Sequence, residues 1–246
     1  MKTIFKYILQ RILGFKNYLY LFSLFIIKKL PWDKNEKDFL FFLDMLPEEG
    51  VVLDIGANLG VMSYYLAKNH PARKVMAFEP IPYNFRNLTR IVRKFKLSNI
   101  QLFQLALGDK NGTVEMVLPV EHSVRFHGLA HVKHESIREK NEGEVFERPV
   151  KRLDDVIEEY NLADQKIKGI KIDVENFEYY VLKGAENLLK QHKPLIYCEL
   201  WDNENRKMTM EFLKSFGYKV RVLENKKLTD YLPERHTTQN FFFTQD

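Results

Sequence analysis

The sequence predicts a doubly wound α/β domain preceded by a helical extension, and three observations predict it. The stretch Val51-Val52-Leu53-Asp54-Ile55-Gly56-Ala57-Asn58-Leu59-Gly60 is an apolar run that ends in an acid and breaks at two glycines. An amphipathic stretch from Val61 to Lys68 follows, so strand, tight turn and helix N-terminus come in immediate succession. Further apolar runs then alternate with helical patterns along the chain, as a mostly parallel sheet covered by helices requires. Finally, these runs finish in acids: Asp54, Glu79, Asp109, Asp173 and Glu199.

Taken in order, residues 1–46 are the extension and 47–246 the main domain. Ile4, Phe5, Ile8, Leu9, Ile12 and Leu13 fall at helical spacing, with Lys6 and Arg11 elsewhere on the wheel. The longest uncharged run, Asn17 to Ile27, is eleven residues, and a bilayer-spanning helix needs roughly 20. The segment fits either an interfacial helix on an anionic leaflet or a helix docked on the domain or on a second copy of it. Asp38 to Leu46 reads as a short helix. Lys74 to Phe78 is the second strand, closed by Glu79-Pro80, and Pro82 to Lys96 a basic helix with a buried stripe at Phe85, Leu88, Ile91, Val92 and Phe95. Ile100 to Leu107 is the third strand and Thr113 to Leu118 an extra one. Periodicity then fades, and residues 119–147 form a candidate substrate loop. Arg148 to Tyr160 reads as a strand entering a helix. Ile167 to Ile172 is the fourth strand, Tyr179 to Leu189 a helix, Pro194 to Leu200 the fifth strand and Met208 to Phe216 a helix. Tyr218 to Leu223 and Asn240 to Thr244 complete the sheet.

The formal charge of +5 is unevenly spread. Lys2, Lys6, Arg11, Lys16, Lys28 and Lys29 stand in the first 30 residues without one acid, which leaves the rest of the chain at −1. The body is near neutral, so the basic balance does not point to nucleic acid. A single cysteine, Cys198, excludes an internal disulfide and a cysteine metal cluster and fits a reducing compartment. That compartment is the cytoplasm, with the inner face of the membrane as one address there.

Ligands of an open α/β sheet bind beyond the carboxyl ends of its strands, where the acids named above converge. The turn is G-x-x-x-G and lacks the middle glycine of a pyrophosphate-binding turn. An acid at the strand end repels phosphate and suits an amino group, which points to S-adenosylmethionine, a cation without phosphate. Glu79, at the end of the second strand, can accept both ribose hydroxyls of an adenosine. Methyl transfer to a hydroxyl needs an in-line approach and a group that takes the proton. Asp173, at the end of the central fourth strand, is the first choice for that group and Glu199 the second; Glu175 and Glu178 serve equally well as helix caps. Four histidines, His122, His127, His131 and His134, lie in the candidate loop. His127, His131 and His134 share helical spacing, but Gly128 interrupts it and no acidic pair is near, so no metal ligands are assigned.

These blocks, in this order, resemble the FkbM family of S-adenosylmethionine-dependent methyltransferases. The likeness runs from about Val51 to Leu200. It rests on VVLDIGANLG, AFEP (Ala77 to Pro80), LALGD (Leu105 to Asp109) with Gly112, and IKIDVENFEYYVLKGAENLL (Ile170 to Leu189), with an echo at Asn240-Phe241-Phe242. The resemblance implies a Rossmann-like class I methyltransferase fold: a seven-stranded, mostly parallel sheet with helices on both faces and a reversed last hairpin. It implies cofactor contacts from Asp54, Gly56, Asn58, Gly60 and Glu79, with Pro80, Leu107 and Asp109 in the matching blocks beside them. Family members mostly O-methylate sugars or natural products. Asn176 stands where the family usually has glycine, and His131 where serine is usual, which places His131 with Asp173 and Glu199 among the candidate catalytic groups.

The expected function is O-methylation of a saccharide hydroxyl in a cell-surface glycan or glycolipid. A divalent cation is compatible with this chemistry but not indicated. Peripheral membrane contact through residues 1–30 and a homodimer are both left open. The competing readings are an NAD-dependent oxidoreductase, disfavoured by the missing glycine, and a non-catalytic module at a membrane, disfavoured by intact Asp54, Gly56, Gly60 and Glu79.

Overall fold

The computed structural model describes residues 2–135, 137, 141–162 and 165–245. Helices α1 (Lys2–Leu13) and α2 (Phe15–Lys29) come first, then two 3₁₀ turns (Leu30–Trp32 and Lys34–Glu36) and α3 (Lys37–Met45). The first half of the main sheet follows as β1 (Gly50–Ile55), α4 (Val61–Asn69), β2 (Arg73–Phe78), α5 (Pro82–Phe95) and β3 (Ile100–Phe103). A smaller sheet comes next: β4 (Ala106–Leu107), β5 (Gly112–Glu121), β6 (Val124–Arg125), β7 (His131–Val132) and β8 (Gly143–Lys151). The chain then runs through α6 (Leu153–Glu159), β9 (Ile167–Ile172), α7 (Glu178–Lys183), α8 (Glu186–His192), β10 (Leu195–Glu199) and α9 (Glu204–Ser215). It ends in β11 (Lys219–Glu224), β12 (Lys227–Asp230) and β13 (Asn240–Thr244).

The main sheet has the order β12-β11-β13-β10-β9-β1-β2-β3. β3, β2, β1, β9 and β10 are parallel, and β13 is antiparallel to both of its neighbours. The strand order reverses between β1 and β9, which sets the crevice there. Both faces are covered. Leu53, Ile55, Ile170, Ile172 and Cys198 face one core, and Val52, Val75, Tyr197 and Phe242 face another made by Phe39, Phe42 and Leu43 of α3. Such two-sided burial is why β1 and β9 read as apolar runs without alternation.

The structure departs from the sequence reading at four points. The main sheet has eight strands rather than seven: β12 (KLTD) pairs with β11 across Asn225 and Lys226, both at positive φ, and a four-residue edge strand with no apolar alternation leaves no periodic signal. The predicted third strand divides, with Ile100–Phe103 in the main sheet and Ala106–Leu107 in the small one. The predicted helix 179–189 breaks into α7 and α8 at Gly184-Ala185, where a Cβ on residue 184 would sit 2.0 Å from the Gly108 carbonyl oxygen. Much of the predicted loop 119–147 is sheet; 136 and 138–140 lie outside the described residues. In β8, Val145 is exposed while Glu144 and Phe146 are half-buried, so burial does not track hydrophobicity and the period of two is hidden.

The extension is docked. Leu19 and Tyr18 pack on Leu59, and Ile27 on Tyr64 and Ile91. Asn87 Nδ2 donates to Ser23 Oγ (2.9 Å) and to the Leu59 carbonyl (3.0 Å), tying α2 to the first turn through a buried amide. Among the described residues no helix is long and apolar enough to cross a membrane.

Arg73 is fully buried at the start of β2. Its guanidinium donates to the carbonyls of Leu46 (3.1 Å) and Pro47 (2.7 and 3.0 Å), which join α3 to β1, and to that of Leu66 (3.4 Å). Arg73→Lys should destabilise the fold by about 2–3 kcal/mol in urea unfolding, because one ammonium cannot span carbonyls that a planar fork reaches. Equal stability of the two proteins would contradict this account.

Candidate active site

The carboxyl ends of β1, β2 and β9 open into a cleft of about 580 Å³, mouth included. Gly56, Asn58, Glu79, Pro80, Leu107 and Asp173 line it, together with Asn84, His127 and Phe177. Glu79 is buried; one carboxylate oxygen accepts the Asn58 N–H and the other the Ile81 N–H, each at 2.8 Å. Each oxygen keeps capacity for one more donor, as a vicinal diol supplies. Burial pushes this carboxyl up to about 7, against the pull of the two amides. Asn84 donates from Nδ2 to the His127 carbonyl (3.2 Å), which fixes its amide; its Oδ1 is buried without a protein partner. An orphan acceptor lining a cleft is a place for a ligand donor.

A second space of about 560 Å³, mouth included, lies between α2 and the glycine turn. Phe22, Ile26 and Leu30 form its apolar wall, and Glu36 and Lys171 its charged side. Gly56, Asn58, His127 and Asp173 line both spaces and mark where they meet. The His127 ring lies 5.6 Å from that of Phe22, with Nδ1 3.4 Å from Asn58 Oδ1. Burial, with Lys6 nearby, lowers its value to about 4, so it is neutral at physiological pH.

Lys171 ties the turn to the floor of the site. It is buried, with Nζ 2.9 Å from the Gly56 carbonyl oxygen, 3.4 Å from Asp54 Oδ1 and 3.8 Å from Asp173 Oδ2. Burial alone would push the amine down, but Asp54 and Asp173 outweigh it and hold it above its ordinary value. Gly56 sits so close to β9 that a Cβ there would lie 1.8 Å from the Asp173 carbonyl oxygen. Past Asp173 the chain turns through Glu175 (φ 55) and Asn176 (φ 73); asparagine tolerates that left-handed conformation, which accounts for its standing in place of glycine. Glu178 holds the turn by accepting the amides of Val174 and Asn176 (3.2 Å each) and the Asn205 side chain (2.8 Å). Burial raises its carboxyl to about 7. Glu178 is thus a structural clasp.

Several sequence-predicted positions lie elsewhere. Asp54 is fully buried, bonded to Ser63 Oγ (2.5 Å) and paired with Lys171, and lines neither space; the acid at the strand end is neutralised internally rather than offered to a ligand. Gly60 starts α4 and packs on Leu88. Asp109 is paired with Lys183 (3.6 Å), outside both spaces. Glu199 lines neither; burial and the neighbouring Asp173 raise its carboxyl to about 7, behind Asp173. His131 is buried in β7, with Nδ1 2.9 Å from the Leu129 carbonyl oxygen and Nε2 3.1 Å from Asn141 Oδ1. Its neighbours Ala130 and Val132 face the cleft, so strand alternation turns His131 away. The helical spacing of His127, His131 and His134 is not realised: His127 is in a 3₁₀ turn and His131 in a strand. Among the described residues no cluster of three or more His, Cys, Asp or Glu side chains could hold a metal ion.

Four participants were not identified from sequence. Lys171 carried a signal, a lysine inside an apolar strand. His127 stood among four histidines with nothing to rank it. Asn84 and the α2 wall had no local signature.

Two outcomes follow. Lys171→Met leaves Asp54 buried and unpaired, and should cost about 3–5 kcal/mol in urea unfolding; adding Asp54→Leu should restore part of that loss, and no restoration would argue against the pair. For Glu79, the carboxylate is the form that accepts two hydroxyls. Affinity for S-adenosylmethionine should therefore rise about tenfold per pH unit up to about 7 and flatten above it. Below pH 7 binding should shift that proton off, visible as buffer-dependent heat in calorimetry. Without ligand the sign is reversed: a carboxyl raised from 4.5 to about 7 favours the fold at low pH, and this contribution is lost as pH rises through 7. Glu79→Gln should abolish the affinity slope; a slope unchanged in that variant would assign it to another carboxyl.

The description of the methyltransferase FkbM domain matches residues 54–220, more than half of the chain. The chain is 28% identical over 199 residues to methyltransferase sdnD of Sordaria araneosa, covering 72% of this chain and 76% of that one. It is 31% identical over 158 residues to the 31-O-demethyl-FK506 methyltransferase FkbM of Streptomyces tacrolimicus, covering 56% and 60%. The crystal structure of methyltransferase FkbM from Methylobacillus flagellatus KT shares the fold, with a TM-score of 0.54 at 17% identity. That match covers 81% of this chain and 45% of that one, so the chain spans less than half of that protein. With the glycine turn, the Glu79 cleft and the sheet order in place, the chain belongs to the FkbM methyltransferase domain family and is an S-adenosylmethionine-dependent methyltransferase.

Proposed function

We propose that this enzyme methylates a hydroxyl of a saccharide, carried on a cell-surface glycan or glycolipid, and that Asp173 takes the hydroxyl proton. The carrying observation is that Asp173 lines both spaces, with its side chain about one-third exposed where they meet. In this reading the cleft with Glu79 and Asn84 holds the cofactor. Glu79 would accept from the ribose hydroxyls and Asn84 Oδ1 from an amino group, while Asn58 and Gly56 form the edge toward the methyl donor. S-adenosylmethionine supplies an electrophilic methyl group on a sulfonium sulfur.

The chain's own residues orient the acceptor and remove its proton. A sugar hydroxyl is a poor acid and needs a base in contact. Lys171, 3.8 Å from Asp173 Oδ2, steadies that carboxylate without filling it. Neutral His127 can accept a hydrogen bond from the same hydroxyl or a neighbouring one. The space behind α2 suits a sugar in composition: Phe22 offers an aromatic face for ring C–H groups, and Glu36 an acceptor for hydroxyls. The name of the Streptomyces relative specifies methylation at oxygen, which supports oxygen as the acceptor atom here.

Asp173→Asn keeps the shape and removes the basicity. It should lower turnover about 10²–10⁴-fold, leave cofactor affinity within about threefold and lower the melting temperature only slightly, since Lys171 keeps Asp54 as its buried partner. Mass spectrometry of surface glycans from cells with and without the gene supplies the acceptor assay, the expected change being loss of one methyl group. Near-normal turnover in the folded variant would remove Asp173 from the chemistry, and glycans identical in methylation would remove the saccharide.

A further inference from the structure

Helix α2 has two working faces. Phe22 and Ile26 look into the space behind the glycine turn. Leu21 and Phe25, one residue before each and so about 100° round the helix, are 49% and 60% exposed. Leu21, Phe25 and exposed Lys28 follow at i, i+4 and i+7, one stripe of a helix. Trp32, in the 3₁₀ turn just after α2, is 77% exposed. On α1, Ile4, Ile8 and Ile12 repeat every four residues and are also exposed. Six of the chain's ten exposed large apolar side chains, among the described residues, thus stand on residues 4–32, a stretch holding five cations and no acid. Scattered exposed apolar residues need no explanation, but a concentrated set does.

We propose that the exposed apolar and basic side chains of α1, α2 and the turn after them seat the enzyme on an anionic lipid surface, with the acceptor space beside α2. The charge selects the occupant. A second copy seated on the same face would bring one acid-free cationic surface, bearing Arg11, Lys28 and Lys29, against another. Of these, Lys29 is paired, with Asp33 (2.6 Å), so self-association leaves cations facing cations. A leaflet of acidic headgroups meets them with the opposite sign while taking Ile, Leu, Phe and Trp side chains into its boundary. The helices are too short and too charged to cross, so the contact is interfacial. The seat extends the reading of the second space as the acceptor site, because an acceptor borne on lipid would arrive beside the wall that α2 provides.

The test uses the full chain and vesicles of phosphatidylcholine with about one-third phosphatidylglycerol, read by sedimentation and by Trp32 fluorescence in a Trp201→Phe background. At low salt the protein should sediment with these vesicles and not with pure phosphatidylcholine, and Trp32 emission should shift to the blue. Raising salt to about 0.5 M should lower the bound fraction at least tenfold, since headgroup attraction is screened. Leu21→Asp with Phe25→Asp should do the same at low salt while keeping the melting temperature and cofactor affinity, both side chains lying outside the cleft. Three results would overturn the proposal: full-length protein left in the supernatant at low salt, the double variant sedimenting as well as the parent, or a dimer in ultracentrifugation that the double variant dissociates without any vesicle binding. The vesicle readout needs no acceptor, so its failure leaves the methyl-transfer reading standing. Conversely, an Asp173→Asn protein that sediments normally and keeps its turnover removes only that reading.

Discussion

The site depends on one buried cation. Lys171 lies inside β9 with its ammonium between the Gly56 carbonyl and the carboxylates of Asp54 and Asp173. Those groups come from the ends of two neighbouring parallel strands, so a single side chain fixes the glycine turn to the loop that bears Asp173. Removing a lysine from water is expensive, and the attraction of two carboxylates offsets this only when the geometry is good. The same ammonium also sets the charge of its surroundings. Asp54, Asp173, Glu199 and Glu36 would otherwise repel across a shared desolvated floor, and Glu36 is held above its ordinary value by burial first and by Asp33 and Asp173 next. The network makes the turn rigid before any ligand arrives, and pre-organisation of this kind keeps reorganisation out of the reaction step.

Around that fixed point the titratable groups are arranged with opposite tendencies. Burial holds Glu79, Glu178 and Glu199 near 7 and His127 near 4. At neutral pH the histidine carries no charge, and the raised carboxyls sit close to half-ionised. A cationic cofactor favours the ionised carboxylates, so cofactor binding and carboxylate charge reinforce each other. Of these groups, Glu79 and His127 line one cleft, and groups with separated values in one crevice are a usual mark of acid–base work. Here the separation distinguishes a hydrogen-bonding imidazole from the carboxylates that bear charge.

The glycine turn, the strand ends and the helices flanking β1 and β2 were legible in the sequence because each is encoded locally. Two-sided burial writes itself as an apolar run, and Pro82 opens α5 where a missing N–H does no harm. What was not legible depended on direction or distance. The family position singled out His131 as a candidate catalytic group; the chain there is a strand, and period two sends His131 away while its neighbours Ala130 and Val132 face the cleft. Asp54 looked like a ligand contact because an acid before a glycine turn faces the crevice in outline. Its partner lies far along the chain, and one strand over in space. β12 was missed because a four-residue edge strand buries too little to leave a pattern. The alternation of β8 was hidden because its exposed side bears a valine.

The family-matching segment begins at residue 54, yet Phe22, Ile26, Leu30 and Glu36 close the second space from before it. The division follows from what each part recognises. In the proposed reading, a cofactor common to the family takes one cleft, built from the strand ends of the matching segment. An acceptor differs from enzyme to enzyme and can be accommodated most cheaply by elements added outside the shared sheet, which change without disturbing β1 or β9. α2 is such an element, yet it is not loosely attached. Asn87 reaches it through a buried amide, Tyr65 donates to its Ile27 carbonyl, and the Arg90 guanidinium lies 3.9 Å over the Tyr20 ring. In the proposed reading, a wall anchored on the helices that flank the glycine turn would keep the acceptor in register with the methyl donor, whatever the acceptor is. If the second space takes the acceptor as proposed, specificity in this enzyme is held in a segment that the family pattern does not describe, and is aligned to the chemistry by contacts that only the folded chain brings together.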